Sequence, residues 1–216
     1  MQADVTRIIA VRHGETAWNV EARLQGQLDI PLNERGRHQA RLTARALADD
    51  RPDVVISSDL ARAAETARAI ADAHACPLSF DAGLRERGFG RFEGLTHADV
   101  AARWPEDSRR WRSRDPDFAP GGGETLRAFS ERCVSAALRT AEGFAGSTIV
   151  LVAHGGVLDC LYRAATRVDL DAPRIWQLDN AAINRLLYTE SGLILVGWND
   201  TSHLEGAALD ELQAPP

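Results

Sequence analysis

Ile8-Ile9-Ala10-Val11 runs directly into Arg12-His13-Gly14-Glu15-Thr16. The first four residues are apolar, mostly β-branched and not alternating with polar ones, the pattern of a strand buried on both faces of a largely parallel sheet. In open α/β sheets ligands bind in the crevice beyond the carboxyl ends of the strands, which is where the next five residues fall. Two further runs have the same character: Val54-Val55-Ile56, followed by Ser57-Ser58-Asp59-Leu60-Ala61-Arg62, and Ile149-Val150-Leu151-Val152-Ala153, followed by His154-Gly155-Gly156. These strand ends are expected to meet, bringing Arg12, His13, Arg62 and His154 into one pocket.

Helical stretches separate the strands. Ala40, Ala44, Leu47 and Ala48 share one helical face, as do Leu60, Ala64, Ala67, Ile70 and Ala71, and again Leu126, Phe129, Cys133, Ala137 and Thr140. Strand alternating with helix points to an α/β layered fold. Ala182 to Tyr188 and Leu193 to Trp198 flank the turn residues Glu190-Ser191-Gly192 and read as an antiparallel hairpin extending one edge of the sheet. One catalytic domain over 1–204 is expected, with 205–216 a flexible tail. Pro120-Gly121-Gly122-Gly123 reads as a flexible loop.

Composition narrows the function. A chain of 216 residues, 44% hydrophobic, suits one sizeable core. Its formal charge of −6 argues against nucleic acid or an anionic membrane as partner. All 25 basic residues are arginine, which excludes Schiff-base lysine chemistry and the P-loop. Phosphate recognition must then use the guanidinium fork, which binds two oxygens at once. Cys76, Cys133 and Cys160 are widely spaced and read as core or boundary residues of a cytoplasmic protein.

The pocket residues suit phosphoryl transfer. Two arginines and a helix N-terminus neutralise a phosphate dianion while a neutral imidazole, His13, attacks phosphorus. Neighbouring cations lower the histidine pKa and keep it nucleophilic. Gly14, Gly155 and Gly156 let backbone N–H groups approach the phosphate. Glu86, in Leu84-Arg85-Glu86, would protonate the leaving oxygen and then deprotonate water. Glu15 and Glu93 are rivals for that role.

At these residues the chain resembles the histidine phosphatase superfamily, the group of cofactor-dependent phosphoglycerate mutases and related phosphatases. The motifs are Arg12 to Thr16 with Trp18-Asn19, Leu32 to Gly36, Ser57 to Ala63 with Glu65-Thr66-Ala67, Leu84-Arg85-Glu86 with Phe92-Glu93-Gly94, Gly122 to Thr125, and Val152 to Gly156, in family order. The resemblance implies a three-layer α/β/α fold, with a mostly parallel sheet of about six strands and one antiparallel edge strand. It makes His13 the phosphohistidine, gives phosphate binding to Arg12, Asn19, Arg62 and His154, matches Glu86 to the proton donor, and puts Gln25, Gly26 and Gly155 beside the phosphate. A small phosphorylated metabolite is the implied substrate, no metal or organic cofactor is needed for hydrolysis, and a homodimer stays open.

The leading expectation is a phosphomonoesterase, because the stretch between Gly94 and Gly122 is shorter than the insertion that phosphoglycerate mutases carry there. The rivals are a mutase using the same phosphohistidine, a metallohydrolase built on His13, His154 and Glu86, and a noncatalytic phospho-ligand binder. Two arginines beside the histidines would repel a divalent cation. His38, His74, His97 and His203 are expected to be exposed or structural. Trp104 and Trp111 with Arg109, Arg110 and Arg112 read equally as a substrate-facing cap or as a helix packed over the core.

Overall fold

The structure, a computed structural model, describes residues 5–205. All but the first residue of the expected tail, 205–216, lies outside the described residues. A sheet in the order β3-β2-β4-β1-β5-β6 is formed by β1 (Thr6–Arg12), β2 (Val54–Ser57), β3 (Leu78–Phe80), β4 (Thr148–Ala153), β5 (Ile183–Thr189) and β6 (Gly192–Asp200). The first four pair in parallel, and β5 runs antiparallel to both β1 and β6. The strand that opposes the others is therefore β5, one place in from the edge strand β6.

Helices cover both faces, and the strands show why their runs do not alternate. Ile8, Ala10, Ile56, Ile149 and Leu151 pack against α6 (Leu126–Gly143) and α7 (Gly155–Thr166). Their neighbours Ile9, Val11, Val55, Val150 and Val152 turn to the opposite face, against α2 (Glu34–Ala46) and α3 (Ala61–His74). With side chains pointing alternately to two cores, every position must be apolar. A smaller cluster of Phe92, Val100 and Phe118, joined by Trp104 and Trp111, ties α4 (His97–Arg103) and α5 (Pro105–Arg112) into a cap. Cys133 and Cys160 are buried and Cys76 is half-buried, all three as free thiols.

The register brings the strand ends together. Arg12 pairs with Ala153, and Ser57 with Val152. His13 N–H donates to the Ala153 carbonyl at 3.0 Å and Ser58 N–H to the Val152 carbonyl at 3.0 Å. The glycine-rich segment expected to be flexible is instead pinned. Gly121 accepts from Arg91 N–H at 2.9 Å and Glu124 N–H donates to Gly88 at 2.9 Å. A Cβ on Gly123 would stand 2.4 Å from the Gly88 carbonyl oxygen, so close backbone packing is what Gly123 serves.

A second close approach fixes the loop after β1. A Cβ on Gly36, in the first turn of α2, would stand 2.1 Å from the Glu15 carbonyl oxygen. In an exposed helix interior, glycine to alanine stabilises by about 1 kcal/mol. Here Gly36→Ala is expected to destabilise by about 2 kcal/mol through displaced backbone, read as a lower urea midpoint, with activity falling because His13 shares the displaced loop.

Candidate active site

Arg12 is the last residue of β1, and its Nη1 donates to the Leu178 carbonyl. Arg62, 1% exposed on the first turn of α3, sends Nη1 to the Leu28 carbonyl at 2.9 Å and Nη2 to the Gly26 carbonyl at 2.8 Å. Asp29 Oδ1 accepts the Ala61 N–H at 2.6 Å and so fixes the start of α3 from another segment. Neither arginine has a carboxylate within ion-pair distance among the described residues, and the Nε of each is buried without a partner. Burial lowers both guanidinium pKa values, that of Arg62 to about 10.

His13 lies between them. Its ring Nδ1 is 2.7 Å from the Gly14 carbonyl oxygen, which can only accept, so Nδ1 carries the hydrogen and Nε2 carries the free lone pair. Burial, then Arg62, then Arg12 push its pKa well below 6.5. Asn180, in the segment before β5, holds this loop by donating from Nδ2 to the carbonyl oxygens of His13 at 3.0 Å and Gly14 at 3.3 Å. His154 sits behind, its ring centroid 5.2 Å from that of His13. It is fully buried, with Nε2 against Ser58 Oγ at 2.8 Å and Nδ1 unpartnered.

Thr16 and Asn19 form a capping box at α1 (Ala17–Val20), which occupies Asn19 Oδ1 and leaves its amide nitrogen for the cleft. Glu86 is aimed by two backbone donors, Gly156 N–H to Oε2 at 3.0 Å and Arg87 N–H to Oε1 at 2.9 Å. A Cβ on Gly156 would stand 2.2 Å from Glu86 Oε1, which explains the glycine there. The rivals for the carboxylate role are placed elsewhere. Glu93 Oε1 accepts from the N–H groups of Gln27 and Phe89, and Glu15 accepts from Asn33 of α2.

A cleft of about 520 Å³ gathers Arg12, His13, Asn19, Gln25, Gly26, Arg62, Glu86 and Gly155, eight of the nine residues expected from sequence. The ninth, His154, supports the floor. The expected use of three glycine N–H groups needs correction, because Gly14 N–H donates to Thr66 Oγ1 and Gly156 N–H to Glu86. Gly155 N–H, at the first position of α7, remains without a protein partner among the described residues. A histidine with a free Nε2, two buried guanidiniums and a helix N-terminus on one side, with a carboxylate on the other, can bind a phosphate dianion and move its proton.

A model of the histidine phosphatase superfamily, branch 1, matches residues 8–201. The chain belongs to that superfamily. It is 37% identical over 207 residues to a metal-independent phosphoserine phosphatase of Arabidopsis thaliana, covering 94% of this chain and 85% of that one. It is also 37% identical over 216 residues to a probable phosphoglycerate mutase of Salmonella paratyphi C (strain RKS4594), covering 96% and 99%. The solved mycobacterial glucosyl-3-phosphoglycerate phosphatase in complex with VO3 superposes with a TM-score of 0.81 at 33% identity, covering 90% of this chain and 99% of that one. The fold of this superfamily member is thus the one that its motifs implied.

Sequence reasoning missed four residues. Asn180 and Ser58 act through contacts that only the sheet creates. His97, expected to be exposed or structural, and Arg174, which no motif marks, both line the cleft. The two readings of the cap residues each hold in part. Trp104 packs on Phe92 within the cap, whereas Trp111 and Arg112 border a cavity beside the cleft, and Arg109 and Arg110 pair outside it with Glu106 and Asp115.

Two imidazoles buried neutral have a pH signature. His13 and His154 both titrate well below 6.5 when folded, so the unfolded chain takes up protons first as pH falls. Stability is therefore full above pH 6.5 and erodes below it, down to the depressed folded values. The urea midpoint is expected to fall between about pH 7 and pH 5, less steeply in His154→Gln. A midpoint flat across that interval would contradict the neutral burial.

Proposed function

We propose that this chain is a phosphomonoesterase acting on small phosphorylated metabolites through a phosphohistidine on His13. The observation that carries the reading is the buried, unpartnered Nε of Arg12 and of Arg62, the two guanidiniums that together depress the His13 pKa. A phosphate oxygen suits such donors and balances the two charges, and a phosphoryl group seated there would lie beside the imidazole lone pair. Nε2 of His13 forms a bond to phosphorus as the ester oxygen departs, and that oxygen takes a proton from the Glu86 carboxylic acid. Glu86, now a carboxylate, removes a proton from water, the hydroxide displaces His13 from phosphorus, and inorganic phosphate leaves. Arg12, Arg62, Asn19 and Gly155 N–H hold the equatorial oxygens, with His154 beneath.

Hydrolysis is favoured over transfer to a second alcohol by the cap. From Gly94 to Gly122 the chain forms only α4 and α5, and His97 and Arg174 stand exposed at the cleft mouth, open to water. The likeness to a probable phosphoglycerate mutase supports the second reading, in which water is kept out and the phosphoryl group returns to substrate. Among the described residues no group of three or more His, Cys, Asp or Glu side chains is placed to hold a metal, so the metallohydrolase reading lacks a ligand set. No described helix is long and apolar enough to cross a membrane.

His13→Ala is expected to abolish phosphate release over a panel of sugar phosphates, phosphoglycerates and phosphoamino acids, and the wild-type chain to yield an acid-labile phosphoryl adduct that the variant lacks. Primer-dependent isomerisation of 3-phosphoglycerate outrunning all phosphate release would decide for the mutase. Glu86→Gln is expected to lower kcat/KM, which covers the steps through departure of the alcohol, roughly 10²–10⁴-fold on alkyl phosphates, whose leaving oxygen needs a proton. It should cost far less on p-nitrophenyl phosphate, whose phenolate leaves unprotonated. Equal losses on both esters would remove Glu86 from the acid role.

A further inference from the structure

Glu86 carries the proton in the mechanism above, yet no strand or helix holds it. It lies in an irregular segment that follows a short 3-10 turn at Ala82–Leu84. The N–H groups of Gly156 and Arg87 orient its carboxylate oxygens, but they can do so only if the backbone beneath is already in place. That backbone is held from α6. Arg132, in the second turn of the helix, donates from Nη1 to the carbonyls of Gly83 at 2.9 Å and Arg85 at 3.1 Å, with Ala82 further off at 3.5 Å, and from Nη2 to the carbonyl of Glu86 itself at 3.3 Å. Its Nε and Nη2 also grip the two carboxylate oxygens of Glu124, at 2.9 and 2.7 Å.

Glu124 secures the other end of the segment. Its Oε2 accepts the Gly88 N–H at 2.8 Å, and its own N–H donates to the Gly88 carbonyl at 2.9 Å. One ion pair thus spans residues 83–88, with Glu86 in the middle, and every one of the five guanidinium N–H groups has an acceptor. An arginine that gathers carbonyls often does no more than stabilise a loop. Two observations tie this one to the chemistry. Of residues 83–88, Glu86 alone lines the phosphate cleft. The Arg132 guanidinium also lies over the Phe129 ring, 5.3 Å from its centroid, and that ring abuts Gly156, where a Cβ would stand 3.1 Å from Cε1. The same face of α6 therefore sets both the backbone of Glu86 and the α7 N–H that receives its carboxylate.

We propose that Arg132, paired with Glu124, is a positioning residue for the proton donor, fixing the 83–88 backbone so that the Glu86 carboxyl group meets the leaving oxygen. The proposal rests on the phosphatase reading above, in which Glu86 protonates the departing alcohol. Arg132 lines neither the phosphate cleft nor the cavity beside it, so its effect on the reaction passes through Glu86. A catalytic group displaced by about 1 Å loses on the order of 10²-fold in rate, which a slackened loop is enough to cause.

The test follows kcat/KM for phosphate release from p-nitrophenyl phosphate and from whichever alkyl phosphate of the panel above the wild type hydrolyses fastest. Arg132→Met is expected to lose roughly tenfold to 10²-fold on the alkyl ester and little on p-nitrophenyl phosphate, the same skew as Glu86→Gln. Arg132→Lys keeps the charge but lacks the planar fork, and should recover part of the alkyl activity. In the double variant Glu86→Gln with Arg132→Met the two losses should not multiply, because no proton donor is left to misplace. A urea midpoint checks folding, and if Arg132→Met does not fold, Glu124→Gln decides, with the same skew expected. Equal losses on the two esters, an undiminished alkyl rate, or losses that multiply in the double variant would each overturn the proposal. Release of phosphate by the wild type from no alkyl ester of the panel would instead sink the phosphatase reading itself.

Discussion

The structure depends on two positive charges that the fold buries without a carboxylate. Arg12 and Arg62 are anchored by backbone carbonyls of Leu178, Leu28 and Gly26. Carbonyl dipoles orient a guanidinium but do not neutralise it, and removing an ion from water costs several kcal/mol. The carbonyls therefore fix where the charge is held while leaving it to be balanced from outside. When ionised, Glu86 offsets part of it across the cleft, and a bound anion completes the balance.

The same charges decide the state of the histidines. Desolvation alone disfavours an imidazolium, and two guanidiniums within electrostatic reach add to that, so His13 and His154 stay neutral. For His13 the Gly14 carbonyl settles which nitrogen bears the hydrogen. A nucleophile is thereby prepared by geometry and field rather than by a dedicated general base. His154 serves a different need. It fills the floor between Ser58 and His13 with a polar ring instead of a water pocket, which keeps the field of the arginines strong.

How much of this the sequence discloses depends on the range of the interaction. Strands buried on both faces read plainly, because a residue such as Val150 must be apolar whichever core it meets. Helix starts at Thr16, Asn33 and Thr125 are likewise local, since each cap bonds a backbone N–H three residues on. The strand-end motifs place His13 and His154 because each follows directly from a strand, and Arg62 because it lies in the first turn of the helix after β2. Asn180 is different: its partners are 167 and 166 residues away, and only the pairing of β5 with β1 brings them together. The glycines 121–123 show the opposite error. Their local freedom suggests a flexible loop, yet the missing side chain of Gly123 serves close packing against Gly88 and Gly90.

The division between legible and illegible residues follows the chemistry. Residues that touch the transferred phosphate lie at ends of strands or helices, where the backbone sets their position to within a fraction of an ångström and the sequence pattern announces them. The other residues at the cleft mouth, His97 and Arg174, lie in the cap and in the loop from Arg167 to Ala182, where no periodicity constrains them. His97 begins a helix of seven residues and Arg174 lies in an irregular segment, so neither is fixed by a sheet register. Such segments can exchange their polar residues without disturbing the two cores or the buried guanidiniums. One scaffold can in this way keep a single phosphoryl-transfer step while its loops choose which alcohol departs.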